Sequence, residues 1–349
     1  MPESRIDRSV RQRARALGFA PGQLPTGALN GITDVAGVRV GHVTLHEGDR
    51  TRTGVTAILP HGGNLYQDKV PAGLAILNGY GKLAGSTQLL ELGEIEAPII
   101  LTNTLAVGRA IEGVNRWTLA QPGNERVGSL NAVVGETNDG RLNDIRAALP
   151  TVDHVMAAID NAKTDAVAEG GVGAGTGTVA FGYKGGIGTS SRRVEAAGHS
   201  YHLGVLVQSN YGGALRVDGR DWRECTAADT DGSIMIVLAT DAPLSDRNLR
   251  RLAERCFGGL ARTGAALSNG SGDYAMAFST AETVRRTPAR RRQVTTFAEL
   301  PNDEMSPMFV AAIEATEEAI LNSLFMAETI TGFDVARQKA VTIRALRSA

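Results

Sequence analysis

A serine hydroxyl attacks carbonyls poorly until a base takes its proton, and one place in this chain offers a serine able to bring its own base. Asp231, Gly232 and Ser233 stand where a polar, aperiodic stretch (residues 216–232) runs into residues 233–240, SIMIVLAT. The apolar and β-branched content of that run predicts a strand buried on both faces. Were the chain cut before Ser233, the new terminus would carry an α-amine of pKa near 7.7–8.0, roughly a third of it neutral at pH 7.5, against about 0.1% for a lysine. One residue then supplies nucleophile and base. Gly232 suits such a cut, because a residue without Cβ tolerates the strain of bending the hydroxyl back onto the preceding carbonyl. The plainer reading, a buried strand with a polar first residue, stands beside it at this point.

Two further positions fit hydrolytic chemistry. Ser271 and Asp273 precede a short alternating strand (residues 274–278) and share one face if the strand starts there; otherwise they form a turn. Asn210 follows the strand pattern of residues 203–208, where its side-chain amide could donate to a developing oxyanion, a role worth about 3–4 kcal/mol in other hydrolases. Its alternative is an Asx turn before Gly212. Glu136, within the polar run 135–140, reads as a solvated turn residue. Other chemistries fail on context. Residues 175–180 (GTGTVA) satisfy the loose dinucleotide pattern, which must leave a strand and open a helix, yet here a helical pattern precedes it and Gly182, Gly185 and Gly186 would break the next helix. No phosphate loop, no H-E-x-x-H and no G-x-S-x-G occurs.

These groups need a framework, and the composition supports one. The chain has 349 residues, 42% hydrophobic and 21% charged, enough for about two domain-sized units or one large layered domain. A formal net charge of −1 gives no global field for nucleic acid or anionic lipid, and no apolar run reaches the about 18 residues of a membrane span. The cluster Arg285, Arg286, Arg290, Arg291 and Arg292 reads as a solvated loop. Cys225 and Cys256 lack metal-site spacing and point to a reducing, cytoplasmic compartment; the Arg-rich start has no secretory pattern. Forty-two glycines, well above the roughly 7% average, imply tight turns and close backbone approaches.

Residues 1–30 read as a polar surface extension. Strands are expected over 35–43, 53–59, 97–101, 128–135, 203–208, 233–240 and 274–278, with a glycine-rich hairpin over 179–192. Helices are expected from a cap at Thr102, Asn103 and Thr104 to Trp117, over 152–168, after a Ser245 cap along Leu249, Leu252, Ala253, Cys256 and Leu260, and over 308–326. This mixture is an α+β pattern, helices covering stacked sheets.

Several segments together resemble the L-aminopeptidase D-esterase/D-amidase and β-peptidyl aminopeptidase family. They are residues 102–108 (TNTLAVG), 133–140 (VVGETNDG), the glycine-rich 173–192, 232–234 (GSI) leading to 239–244 (ATDAPL), and 268–274 (SNGSGDY), in family order. The resemblance implies a precursor that cleaves itself before a serine, giving an α chain (1–232) and a β chain (233–349), with residues 31–349 as one catalytic domain. It implies a four-layer αββα sandwich, similar to N-terminal-nucleophile hydrolases but with its own connectivity, and a homotetramer of αβ units. The implied activity removes N-terminal residues from small peptides, amides and esters, with no metal or other cofactor. Ser233 matches the nucleophile, and Ser271 and Asp273 match a pair in which Ser271 contacts the Ser233 amine and the carboxylate orients it. Aspartate is one methylene shorter than the glutamate of many members. Glu136 matches the acid that receives the substrate's ammonium group; Asn103 and Asn138 lie in the same motifs without an assigned step. The competing readings are an acyltransferase of the ornithine-acetyltransferase-like architecture, which normally cleaves before threonine, and an uncleaved binding protein.

Overall fold

The computed structural model describes residues 11–223, 226 and 230–346. The chain opens with the hairpin β1 (Arg39–Glu47) and β2 (Thr51–Leu59), then β3 (Val70–Gly79), β4 (Leu83–Ala84), α1 (Ser86–Leu92) and β5 (Glu94–Ile95). Next come β6 (Ile99–Asn103), α2 (Val107–Leu119), β7 (Val133–Thr137) and α3 (Val152–Asp160). A short hairpin, β8 (Val179–Ala180) and β9 (Tyr183–Lys184), leads into the long pair β10 (Gly186–Ala196) and β11 (His199–Asn210). After the small hairpin β12 (Arg216–Val217) and β13 (Arg220–Asp221) follow β14 (Ser233–Thr240), α4 (Asp246–Arg262), β15 (Gly272–Ser279), α5 (Met305–Phe325) and a last hairpin, β16 (Ile330–Asp334) and β17 (Lys339–Ile343).

Two sheets carry the architecture, in the orders β1-β2-β6-β7-β4 and β10-β11-β14-β15-β3-β5. Three apolar clusters fill the spaces between four layers. Val114, Val155 and Ile159 of α2 and α3 pack on Val55, Ile100 and Val134 of the first sheet. Between the sheets, Ile58, Ile99 and Leu101 meet Leu206, Met235, Val237 and Phe278. On the far side, Leu252, Cys256, Ile320 and Leu324 of α4 and α5 cover Val205, Ile236 and Ala277. Strand alternation explains the division: Ile234, Ile236 and Leu238 face the helices while Met235, Val237 and Ala239 face the other sheet. β14 is therefore buried on both faces, as its unbroken apolar run predicts. α5 lies so close to β10 that a Cβ on Gly188 would stand 2.0 Å from the Ala319 carbonyl oxygen.

Some elements differ from the sequence expectation. The helix expected over 152–168 stops at Asp160, because Lys163 leaves it to exchange both backbone hydrogen bonds with Val40. The strand expected over 128–135 begins at Val133 and runs on through Glu136 to Thr137. Ser245 is at an N-cap position, but its hydroxyl donates to Glu299 instead of accepting from the helix, and α2 begins after Ala106 without a side-chain cap. Residues 11–30, expected as a surface extension, are built into the body: Ala14 is fully buried and donates its N–H to Asn322 Oδ1 at 2.9 Å. Cys256 is a buried free thiol; Cys225 lies outside the described residues.

Candidate active site

Ser233 opens β14 between two strands, paired with Asn210 of β11 on one side and Gly272 of β15 on the other. The Gly272 N–H approaches two acceptors at once, the Gly232 carbonyl oxygen at 3.1 Å and Ser233 Oγ at 3.2 Å. Glycine is required at 232: φ is +152°, and a Cβ would stand 2.2 Å from the Asn210 carbonyl oxygen and 2.4 Å from Tyr211 Cα. Gly272 is just as confined, since a Cβ there would lie 2.7 Å from the Tyr80 carbonyl oxygen and 3.1 Å from Ser233 Oγ. The Ser233 hydroxyl, the Gly232 carbonyl and a backbone donor are thus brought together by two glycines whose backbone leaves no room for a side chain.

A cavity of about 1130 Å³ opens over this point, lined among others by Tyr80, Lys82, Thr104, Glu136, Asn138, Asn210 and Asp231. Glu136 arrives from β7 of the first sheet and Ser233 from β14 of the second. Glu136 is buried, not solvated as a turn residue would be: Oε1 accepts the Lys82 N–H at 3.0 Å, and Oε2 accepts from the Thr104 hydroxyl. The Lys82 ammonium lies 3.8 Å from Oε1. The turn carrying Lys82 is fixed by neighbours of Ser233, with the Tyr80 N–H donating to the Ser271 carbonyl at 3.3 Å. Asn78 Nδ2 likewise holds the Asn269 carbonyl at 3.0 Å. Burial raises the pKa of Tyr274, whose ring edges the cavity turn at Gly81, and repulsion from Glu136 and Asp273 adds to it.

The Ser271–Asp273 pair forms: the serine hydroxyl donates to Asp273 Oδ1 at 2.5 Å, so the shorter aspartate side chain suffices. Asp273 Oδ2 is buried without a partner among the described residues. Burial lifts the Asp273 carboxyl above the usual range, and the Ser271 hydrogen bond works against that lift. Asp273 alternates with Ala275 and Ala277 toward the helices, whereas Ser233 shares the face of Met235. With the Gly232–Ser233 peptide bond intact, no hydrogen bond joins Ser271 to Ser233 among the described residues. Asn210 Oδ1 accepts the Val179 N–H at 2.9 Å, while its Nδ2 group donates to nothing among the described residues. Asn138 lines the cavity. Asn103 does not; its side chain ties Thr53, Leu149 and Leu105 together. Lys82 and Thr104 were not singled out as functional from the sequence. The only signal for Lys82 is a Gly79-Tyr80-Gly81-Lys82 turn, glycines around an aromatic residue before a cation.

Residues 30–338 match peptidase family S58. The chain belongs to that family. Beta-peptidyl aminopeptidase BapA of Sphingosinicella microcystinivorans is 42% identical, with 96% of this chain and 91% of the relative covered. Among solved structures, a beta-aminopeptidase of Burkholderia sp. superposes with a TM-score of 0.87 at 38% identity, covering 97% of this chain and 96% of its own. The L-aminopeptidase D-Ala-esterase/amidase of Ochrobactrum anthropi, a prototype for the serine aminopeptidases with a variant Ntn hydrolase fold, gives a TM-score of 0.87 at 37% identity over 95% of each chain. The S58 chain is accordingly a hydrolase, a serine aminopeptidase on a variant of the N-terminal-nucleophile fold, as its sequence motifs imply.

Proposed function

We propose that this S58 peptidase cuts itself between Gly232 and Ser233, into residues 1–232 and 233–349, and that the freed Ser233 then hydrolyses the bond after the first residue of a small peptide, amide or ester. One observation carries the reading: the Gly232 carbonyl and the Ser233 hydroxyl share the Gly272 N–H at the base of the cavity. In the processing step Ser233 Oγ bonds to the Gly232 carbonyl carbon, and the charge developing on the carbonyl oxygen falls on the Gly272 donor. The C–N bond breaks, the nitrogen leaves protonated as the α-amine of Ser233, and water hydrolyses the resulting ester to a Gly232 carboxylate and a free hydroxyl.

In turnover the α-amine takes the Ser233 proton as Oγ attacks the substrate carbonyl, and returns it to the amine or alcohol that leaves as the C–N or C–O bond breaks. The unengaged Nδ2 of Asn210 is available to the oxyanion, and buried Glu136 to the substrate's ammonium. Water then resolves the acyl-enzyme. The Ser271–Asp273 pair supports the amine from the helix side of the sheet, with Asp273 Oδ2 still able to accept. Because the neutral amine is the base, kcat/KM rises with pH through its pKa, near 7.7–8.0 unperturbed. Intact-mass measurement with N-terminal sequencing tests the reading. Two fragments, one starting Ser-Ile-Met-Ile, are expected; an active chain with no such terminus overturns it.

A further inference from the structure

We propose that Lys82 makes this enzyme selective for a first residue bearing a carboxylate on the same carbon as its ammonium group, a β-linked aspartyl residue being the shortest of that kind. The inference rests on Glu136 receiving the substrate ammonium, as above. Lys82 Nζ lies 3.8 Å from Glu136 Oε1, its side chain is 54% exposed, and it lines the cavity. That ammonium donates no hydrogen bond among the described residues, although the Lys82 backbone N–H is fixed to the same Oε1. The lysine is held here by the backbone, since a Cβ at Gly81 would come within 3.3 Å of Glu136 Oε1 and 3.4 Å of the Tyr274 ring.

A substrate whose only charge is its ammonium places a second cation beside Lys82, and the two then share one carboxylate. A carboxylate on the ammonium-bearing carbon changes the pattern. Glu136, substrate ammonium, substrate carboxylate and Lys82 then alternate in sign around a closed ring, and Lys82 gains the charge-assisted acceptor it lacks. A β-aspartyl amide is the β-alanyl skeleton with that one group added, so the two differ only in what Lys82 would read. The reaction is unchanged: one water is consumed, the amide C–N bond breaks, and aspartate and the amine leave.

The test compares kcat/KM for β-aspartyl and β-alanyl p-nitroanilides in wild type, Lys82→Met and Lys82→Arg. Loss of one charge-assisted hydrogen bond should lower the β-aspartyl to β-alanyl ratio about tenfold or more in Lys82→Met, mainly through a higher KM for the aspartyl substrate. Lys82→Arg should stay within about threefold of wild type, since the cation is kept. An equal ratio in wild type and Lys82→Met overturns the proposal. Calorimetric titration with free L-aspartate and β-alanine gives a readout without turnover, in which Lys82→Met should weaken aspartate binding relative to β-alanine by a similar factor. If neither anilide is hydrolysed, the Ser233 reading is still decided by the Ser-Ile-Met-Ile terminus, and the calorimetric ratio alone decides Lys82.

Discussion

Two buried polar regions of this molecule are built oppositely. Behind β10, Arg192 is fully buried with its donors engaged: Nε to Glu314 at 3.1 Å, Nη2 to Glu318 at 2.8 Å and to the Pro21 carbonyl at 2.8 Å, and Nη1 to the Ser191 carbonyl at 2.8 Å. Glu318 also accepts from Arg15 and Asn30, and Glu314 from the backbone of Gln23 and Leu24. The cluster clamps residues 11–30 onto α5. Around Ser233, Asp273 Oδ2 is buried with no partner among the described residues, while Asn210 Nδ2 and the half-exposed Lys82 Nζ, on residues lining the cavity, have no hydrogen-bond acceptor among them. Buried polar groups usually find partners because leaving them unmade is costly. The saturated cluster holds a segment in place, and the unsaturated one keeps its capacity for a substrate or a new terminus.

Substitutions that separate folding from turnover test this contrast. The largest effect is expected of Ser233→Ala: an uncut chain, turnover lower by about 10⁴-fold or more, and a urea midpoint like that of an uncut reference. Arg192→Met should do the reverse. It removes the cation paired with Glu314 and one of the two paired with Glu318, and should destabilise by about 3 kcal/mol, read from urea unfolding, while kcat of the folded fraction stays at the wild-type level. A normal midpoint with a lost kcat would erase the distinction between the regions. Asn210→Ala should lower kcat by about 10²–10³-fold with little change in KM. It should also destabilise by about 1 kcal/mol, because Oδ1 holds the Val179 N–H.

The same contrast explains what was legible in the sequence. β14 was readable because a strand buried on both faces is a continuous apolar run, and Gly232 before Ser233 marked its chemical end. The motif resemblance carried the layered fold; of the residues it named, Ser233 and Glu136 line one cavity, while Ser271 and Asp273 bond to each other on the helix side of the sheet. Burial created by distant partners was invisible. Glu136 reads as a turn residue because Lys82 and Thr104 enclose it, 54 and 32 positions away in sequence. Residues 11–30 look solvated because the partners of Arg13 and Arg15, Glu169 and Glu318, come from later elements. The overlong helix past Asp160 has the same cause, since its competitor is the backbone of Val40.

A smaller effect, and a sharper one, is expected where a buried charge is hydrogen-bonded but still starved of solvation. Lys184 is buried in the glycine-rich segment, with Nζ donating to the Gly175 and Gly185 carbonyls at 2.7 Å each. Burial pushes its pKa down to about 7 against the attraction of Asp139. Burial likewise pushes Asp139 up to about 6 against its hydrogen bonds from Thr53, Asn143 and Asn103. The unfolded chain therefore binds more protons than the folded one at Lys184 between about pH 7 and the ordinary lysine range, so stability rises with pH there, by at most about 1.4 kcal/mol per unit. At Asp139 the folded chain binds more protons between about pH 4 and 6, so stability falls as pH rises through that window. Urea midpoints at pH 7.5 and 8.5 should thus rise in wild type and flatten in Lys184→Met, while Asp139→Asn should flatten the fall between pH 4.5 and 6. An unchanged rise in Lys184→Met would mean that two backbone carbonyls solvate an ammonium as well as water does, and Lys184 would then belong with Arg192 among the saturated groups.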